Sequence, residues 1–230
     1  SAPTLVRRYL ADQGRRPLNL VLLSTVPILF VGLSSTAIAD FARALGVGAV
    51  ADSLGSVTAS WAAAFLAGVS GFFLVHDSRE PDRRLAGAGM SSSAITGARL
   101  TTGLLLALAA AVASLAALFV LSGLPGPTRA IAGTLIAATI YLAIGVAVGT
   151  IVRGDVNGSL VVVFIWMLDV FLGPAMAGGD LVLTRVLPSH FVTLVMLDVA
   201  TAHGGPISGL GWALLWAAGA LAVAAWLFDR

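Results

Sequence analysis

An all-α integral membrane protein is the fold class this sequence predicts, and three observations carry the prediction. The 230-residue chain is 58% apolar and 10% charged, and its mean hydropathy of +0.99 is far above that of soluble domains. Six apolar runs approach the length needed to cross the hydrocarbon, about 20 residues advancing about 1.5 Å each across about 30 Å. Between the second and third runs lies one long polar connection, Asp77 to Arg99, which holds four of the thirteen basic residues, Arg79, Arg83, Arg84 and Arg99. Flanked by apolar spans, such a segment belongs in water.

In chain order, Pro3 to Arg16 sets Leu5, Val6, Tyr9 and Leu10 on one helical face and Arg8, Asp12 and Arg15 on another. This pattern predicts a short interfacial helix, residues 1–17, whose arginines suit anionic head groups; a frayed polar tail is the alternative. The first span is Leu18 to Ile38, with Pro27 in its middle removing a backbone hydrogen bond and expected to kink it. The second runs from about Leu54 to Val75, the third from Leu100 to Leu121 and the fourth from Ala130 to Val152. The fifth, Ser159 to Leu172, is short unless Val156 to Gly158 begin it, and Gly173-Pro174 ends it; the sixth is Leu210 to Phe228. Residues 174–207 are too apolar for an ordinary loop yet interrupted by Arg185, Pro188, His190 and Asp198. Short helices dipping back into the outer part of the membrane fit this composition, with a helical hairpin on the surface as the alternative. Gly145 and Gly149, four apart, allow close helix packing, a scaffold role.

Orientation follows from the arginines beside the spans. With a cytoplasmic N-terminus, that side carries Arg7, Arg8, Arg15, Arg16, the four of the long connection, Arg153 and Arg230, against Arg43, Arg129 and Arg185 opposite. Both termini and the Asp77 to Arg99 loop are therefore expected in the cytoplasm, and no cleavable signal peptide is expected ahead of the first span.

Composition also narrows the chemistry. All basic residues are Arg, so lysine-dependent sites such as the phosphate-binding P-loop are excluded, and with no Cys, thiolate metal sites and cysteine nucleophiles are excluded too. The arginines are scattered at membrane edges instead of clustered on a soluble face, which argues against nucleic acid. Asp169, inside the fifth span, is costly at that depth and is a functional candidate facing a partner group or wet cavity, with a structural hydrogen bond as the alternative. His190, Asp198 and His203 follow at spacings that match no metal or nucleophile signature. One intramembrane acid among six spans speaks against a proton relay and for a conduit energised from elsewhere.

The order of elements resembles the ABC type-2 exporter permease family, the membrane subunit of ABC transporters. The resemblance spans the chain and rests on LVRRYLADQGRRP before the first span, SREPDRRLAGAGMSSSAITGARL between the second and third, RGDVNGS entering the fifth, and LPSH before the sixth. It implies a single transmembrane domain in which residues 1–17 form an elbow helix and residues 77–99 form the coupling loop. Two such subunits, as a homo- or heterodimer, would each be served by a separate cytoplasmic ATPase that holds the ATP and Mg. No catalytic residue, metal or cofactor is expected in this chain itself.

Arg79, Glu80, Arg83 and Arg84 would make charged contacts to the ATPase, with Leu85 and Met90 as apolar anchors. Phe30, Trp166, Met167, Asp169 and Phe171 would line the substrate route, and Pro188 and His190 an outer gate. Export of a hydrophobic drug, natural product or lipid-like molecule across a bacterial inner membrane is the function implied. Rival readings are an intramembrane hydrolase or transferase using Asp169 and His190, and a membrane assembly subunit that moves nothing.

Overall fold

The computed structural model describes residues 2–14, 17–44, 54–124, 126–177, 182–197 and 209–229. Arg15, Arg16, Asp198, His203 and Arg230 lie outside these residues. About 91% of the described residues are helical, and no strand occurs among them.

The helices are α1 (Ala2–Gly14), α2 (Pro17–Ala44), α3 (Leu54–His76), α4 (Arg79–Gly87), α5 (Ser92–Ser122), α6 (Pro127–Ile151), α7 (Asp155–Leu172), α8 (Pro174–Ala177), α9 (His190–Met196) and α10 (Gly209–Asp229), with a 3-10 turn at Val182–Val186. Five of them, α3, α5, α6, α7 continued into α8, and α10, are long and apolar enough to cross a membrane. The sixth long helix, α2, is continuous through Pro27.

Local chemistry accounts for the boundaries. The helix of α5 begins at Ser92, well before the apolar run at Leu100, because Ile95 and Ala98 are buried and give the polar stretch an apolar face of its own. Asp155 sits in the first turn of α7, where a carboxylate opposes the positive end of the helix dipole, so α7 starts earlier than Ser159. Gly173 closes it, as the Gly-Pro pair predicts. Pro127 opens α6 at a position where its missing N–H costs nothing.

The bundle is built on α3 and α6, which lie side by side in the same direction and form its most extensive helix pair. Their backbones touch at glycines. A Cβ placed on Gly145 would fall on the Gly68 carbonyl oxygen, and one on Gly149 would stand 2.9 Å from the Phe72 carbonyl oxygen. The α2 and α5 helices pack on α3, and α10 packs on α6. Around this pair the core gathers Val57, Trp61, Ile140, Tyr141, Val192 and Leu197.

The two ends of the bundle differ. One, the loop end, carries α1, α4, the start of α5 and the junction of α6 with α7. There His76 Nε2 lies 2.6 Å from Asp155 Oδ1, and its ring stacks on Phe72 at 5.4 Å. The other, the far end, carries α9, whose His190 and Val192 to Met196 are all buried. Arg129, at the start of α6, donates to the Val195 carbonyl at 3.3 Å there.

Candidate functional site

Helix α4 is short and strongly charged. Glu80 and Asp82 occupy its first turn and Arg84 its last, each of the sign the helix dipole favours. Glu80 and Arg84 are one turn apart and pair at 3.1 Å. After Gly87 the chain reverses through Gly89, whose φ of +88° is left-handed and suits glycine. Met90 N–H then donates to the Leu85 carbonyl at 3.1 Å, so Leu85 and Met90 sit together, half-buried, at the C-terminal end of α4.

One face of α4 is fastened to the bundle. The Arg99 guanidinium donates twice to Asp82, from Nη2 to Oδ1 at 2.9 Å and from Nε to Oδ2 at 3.2 Å. Both side chains are largely enclosed, at 11% and 15% exposure. Tyr9 of α1 covers the pair: Arg99 Cζ stands 3.6 Å above the centre of its ring, and the phenol donates to Asp82 at 3.5 Å. Bidentate geometry and the aromatic lid are what distinguish Arg from Lys at such a place. Burial raises the Tyr9 pKa, partly opposed by the charge of Arg99, so the phenol stays a neutral donor at physiological pH. The clasp thus joins α1, α4 and α5.

Helical spacing puts Glu80 and Arg84 on the side of α4 away from Asp82, and both are exposed, with side chains 68% and 78% accessible. The side chains of Arg79 and Arg83 lie outside those described. Asp82→Ala is expected to leave the buried Arg99 guanidinium without its acceptor and to cost about 3 kcal/mol. Hydrogen exchange across α4 should accelerate accordingly. Arg99→Lys, which keeps the charge and loses the fork, should fall between, and Tyr9→Phe should do little because its hydrogen bond is at the limit of reach.

A second polar cluster lies toward the far end. Asp169 is 2% exposed. Its Oδ2 accepts from the Tyr141 hydroxyl at 2.5 Å and from the Ser189 backbone N–H at 3.0 Å. His190, fully buried, pairs through Nδ1 with the Thr184 hydroxyl at 3.1 Å and meets Phe191 edge-on at 5.0 Å. Pro188 is half-buried in the turn between them. Asp169 therefore pins the Leu187 to His190 turn onto α7 and α6.

The five residues proposed for a substrate route divide among three environments. Phe30 and Trp166 meet edge-on at 5.5 Å, Phe65 joins them at 5.3 Å, and the Trp166 indole donates to the Trp61 carbonyl at 3.0 Å. Asp169 is enclosed in the polar cluster. Met167 and Phe171 are exposed, and with Val156, Leu160 and Phe164 they form one continuous apolar stripe along α7.

Tyr141, Ser189 and the pairing of Asp82 with Arg99 were not singled out from sequence. The chain has only two tyrosines, and each hydrogen-bonds an aspartate more than twenty residues away. A tyrosine in the middle of an apolar span is the signal that could have pointed to Tyr141, since its hydroxyl needs a partner there. Compared with known protein families and with curated proteins, the chain matches none.

Proposed function

We propose that this protein is the membrane-spanning permease subunit of an ATP-driven ABC exporter, coupled to a separate cytoplasmic ATPase through residues 77–99. The observation that carries the reading is the two-sided character of α4. Asp82 ties one face to Arg99 and Tyr9, while Glu80 and Arg84 project from the other. A helix held rigidly at the root of α5, with charges open to a partner, can pass a push from outside the membrane into a span. A loose loop would absorb it.

In this reading α2 is the first of six spans, α1 is the elbow helix at the interface, and α8, the 3-10 turn and α9 form the re-entrant segment, with Pro188 and His190 at an outer gate. The loop end faces the cytoplasm of a bacterium, with both termini on that side and the arginine bias as support. The exposed stripe of α7, including Met167 and Phe171, meets the second permease subunit. Phe30, Trp166 and Asp169 stand behind that seam. The cargo is a hydrophobic drug, natural product or lipid-like molecule, and ATP and Mg are handled by the ATPase.

The test is the identity of the partners and the effect of charge reversal. Purified alone, the chain should hydrolyse no ATP, and mild purification should bring an ATPase with it. Arg83→Glu with Arg84→Glu should release that partner or abolish nucleotide-driven transport. If transport survived those reversals unchanged, the coupling role of α4 would be wrong.

A further inference from the structure

On the side of the bundle where α6, α9 and α10 meet runs an open groove of about 830 Å³. Its walls are apolar, with Ile144 from α6, Phe191 from α9 and Trp212, Trp216 and Val223 from α10. Among the described residues, the one charged lining residue is Arg185, from the 3-10 turn at the far end. Phe191 and Trp212 stack at 6.0 Å where the groove reaches that end.

Two features say what occupies it. The first is length. From Trp212 to Val223 the floor follows eleven helical rises, about 16 Å, close to half of the roughly 30 Å hydrocarbon thickness and so the depth of one leaflet. The second is the setting of Arg185. The turn that carries it exposes Val182, Leu183 and Val186, with Leu183 at 86%. A turn with three bare apolar side chains beside an arginine is stable where hydrocarbon meets head groups, the depth at which tryptophan also collects. An acyl chain in the groove would therefore bring its own phosphate to the level of Arg185.

We infer that this groove binds one acyl chain of an anionic phospholipid, from the leaflet on the Arg185 side, with its phosphate against the Arg185 guanidinium. The site depends on the helices being embedded in a membrane and is independent of the transporter reading.

The experiment is native mass spectrometry of the full chain released from nanodiscs of mixed phosphatidylcholine and phosphatidylglycerol. Wild type is expected to retain one phospholipid and to prefer phosphatidylglycerol about fivefold, the contribution of a single arginine at a membrane surface. Arg185→Gln should bring that preference close to parity while lipid is still retained. Gly219→Phe should remove retained lipid of both kinds without lowering the thermal midpoint, because Gly219 lines the groove and a Cβ there meets nothing within 4 Å. Absence of a phosphatidylglycerol preference in wild type would overturn the assignment, as would retention unaffected by both substitutions. A lipid-free dimer that Gly219→Phe dissociates would put a second copy in the groove and overturn it equally.

Discussion

Replacing Asp169 with alanine is expected to destabilise the protein by about 3 kcal/mol, because the Tyr141 hydroxyl and the Ser189 N–H are both left buried without an acceptor, each at about 1–3 kcal/mol. The loss should be concentrated at one place. The Asp169 carboxylate accepts the Ser189 N–H that ties the Leu187 to His190 turn to α7, so without it backbone exchange should rise across residues 187–196 before it rises in α3. Tyr141→Phe removes one of the two contacts and should cost about 1 kcal/mol, near the magnitude seen for single interhelical hydrogen bonds in membranes. The double variant should cost less than the sum, since both substitutions break the same bond. Denaturant titration in mixed micelles measures the energies. Equal and additive small effects would mean that the cluster does not hold the turn.

Substituting Gly145 with valine should be more damaging still. Its first added carbon would overlap the Gly68 carbonyl oxygen, and the Gly68 carbonyl carbon and the Phe72 amide nitrogen are each 2.9 Å from the same position. These are backbone atoms of α3, so no rotamer change can clear them, and α3 and α6 would have to separate along their whole contact. The cost should reach or exceed the upper end of the roughly 1–3 kcal/mol typical of overpacking. It would register as loss of folded protein in size-exclusion chromatography and a collapsed thermal midpoint. Gly211→Ala is the control: a Cβ there meets nothing within 4 Å, so its midpoint should match wild type. A Gly145 variant as stable as that control would show that the two helices are free to part.

Much of the fold was legible because it is one-dimensional. Apolar length marks a span without knowledge of any neighbour, and the Leu5, Val6, Tyr9, Leu10 face of α1 coincides with residues that are buried or half-buried. Boundaries shifted where a polar stretch had an apolar face of its own, as at Ser92, or a favourable first-turn acid, as at Asp155. Gly145 and Gly149 were recognisable as small residues at helical spacing, but their contacts, Gly68 and Phe72 in a different span, were not.

The candidate sites were legible as residues and not as pairs. Asp169 stood out because an acid at that depth is rare, and the charged connection at Asp77 to Arg99 because it is the long polar break in the chain. Sequence by itself determined the apolar helices long enough to cross a membrane and the chemistry denied to the chain by the lack of lysine and cysteine. Only the tertiary structure decided that Asp82 is held by Arg99 under Tyr9, that Asp169 is shared by Tyr141 and Ser189, and that Arg185 heads a groove between α6 and α10. The physical reason is range: hydropathy sums along the chain, whereas a hydrogen bond needs two groups within about 3 Å, and groups distant in sequence come that close only when helices pack.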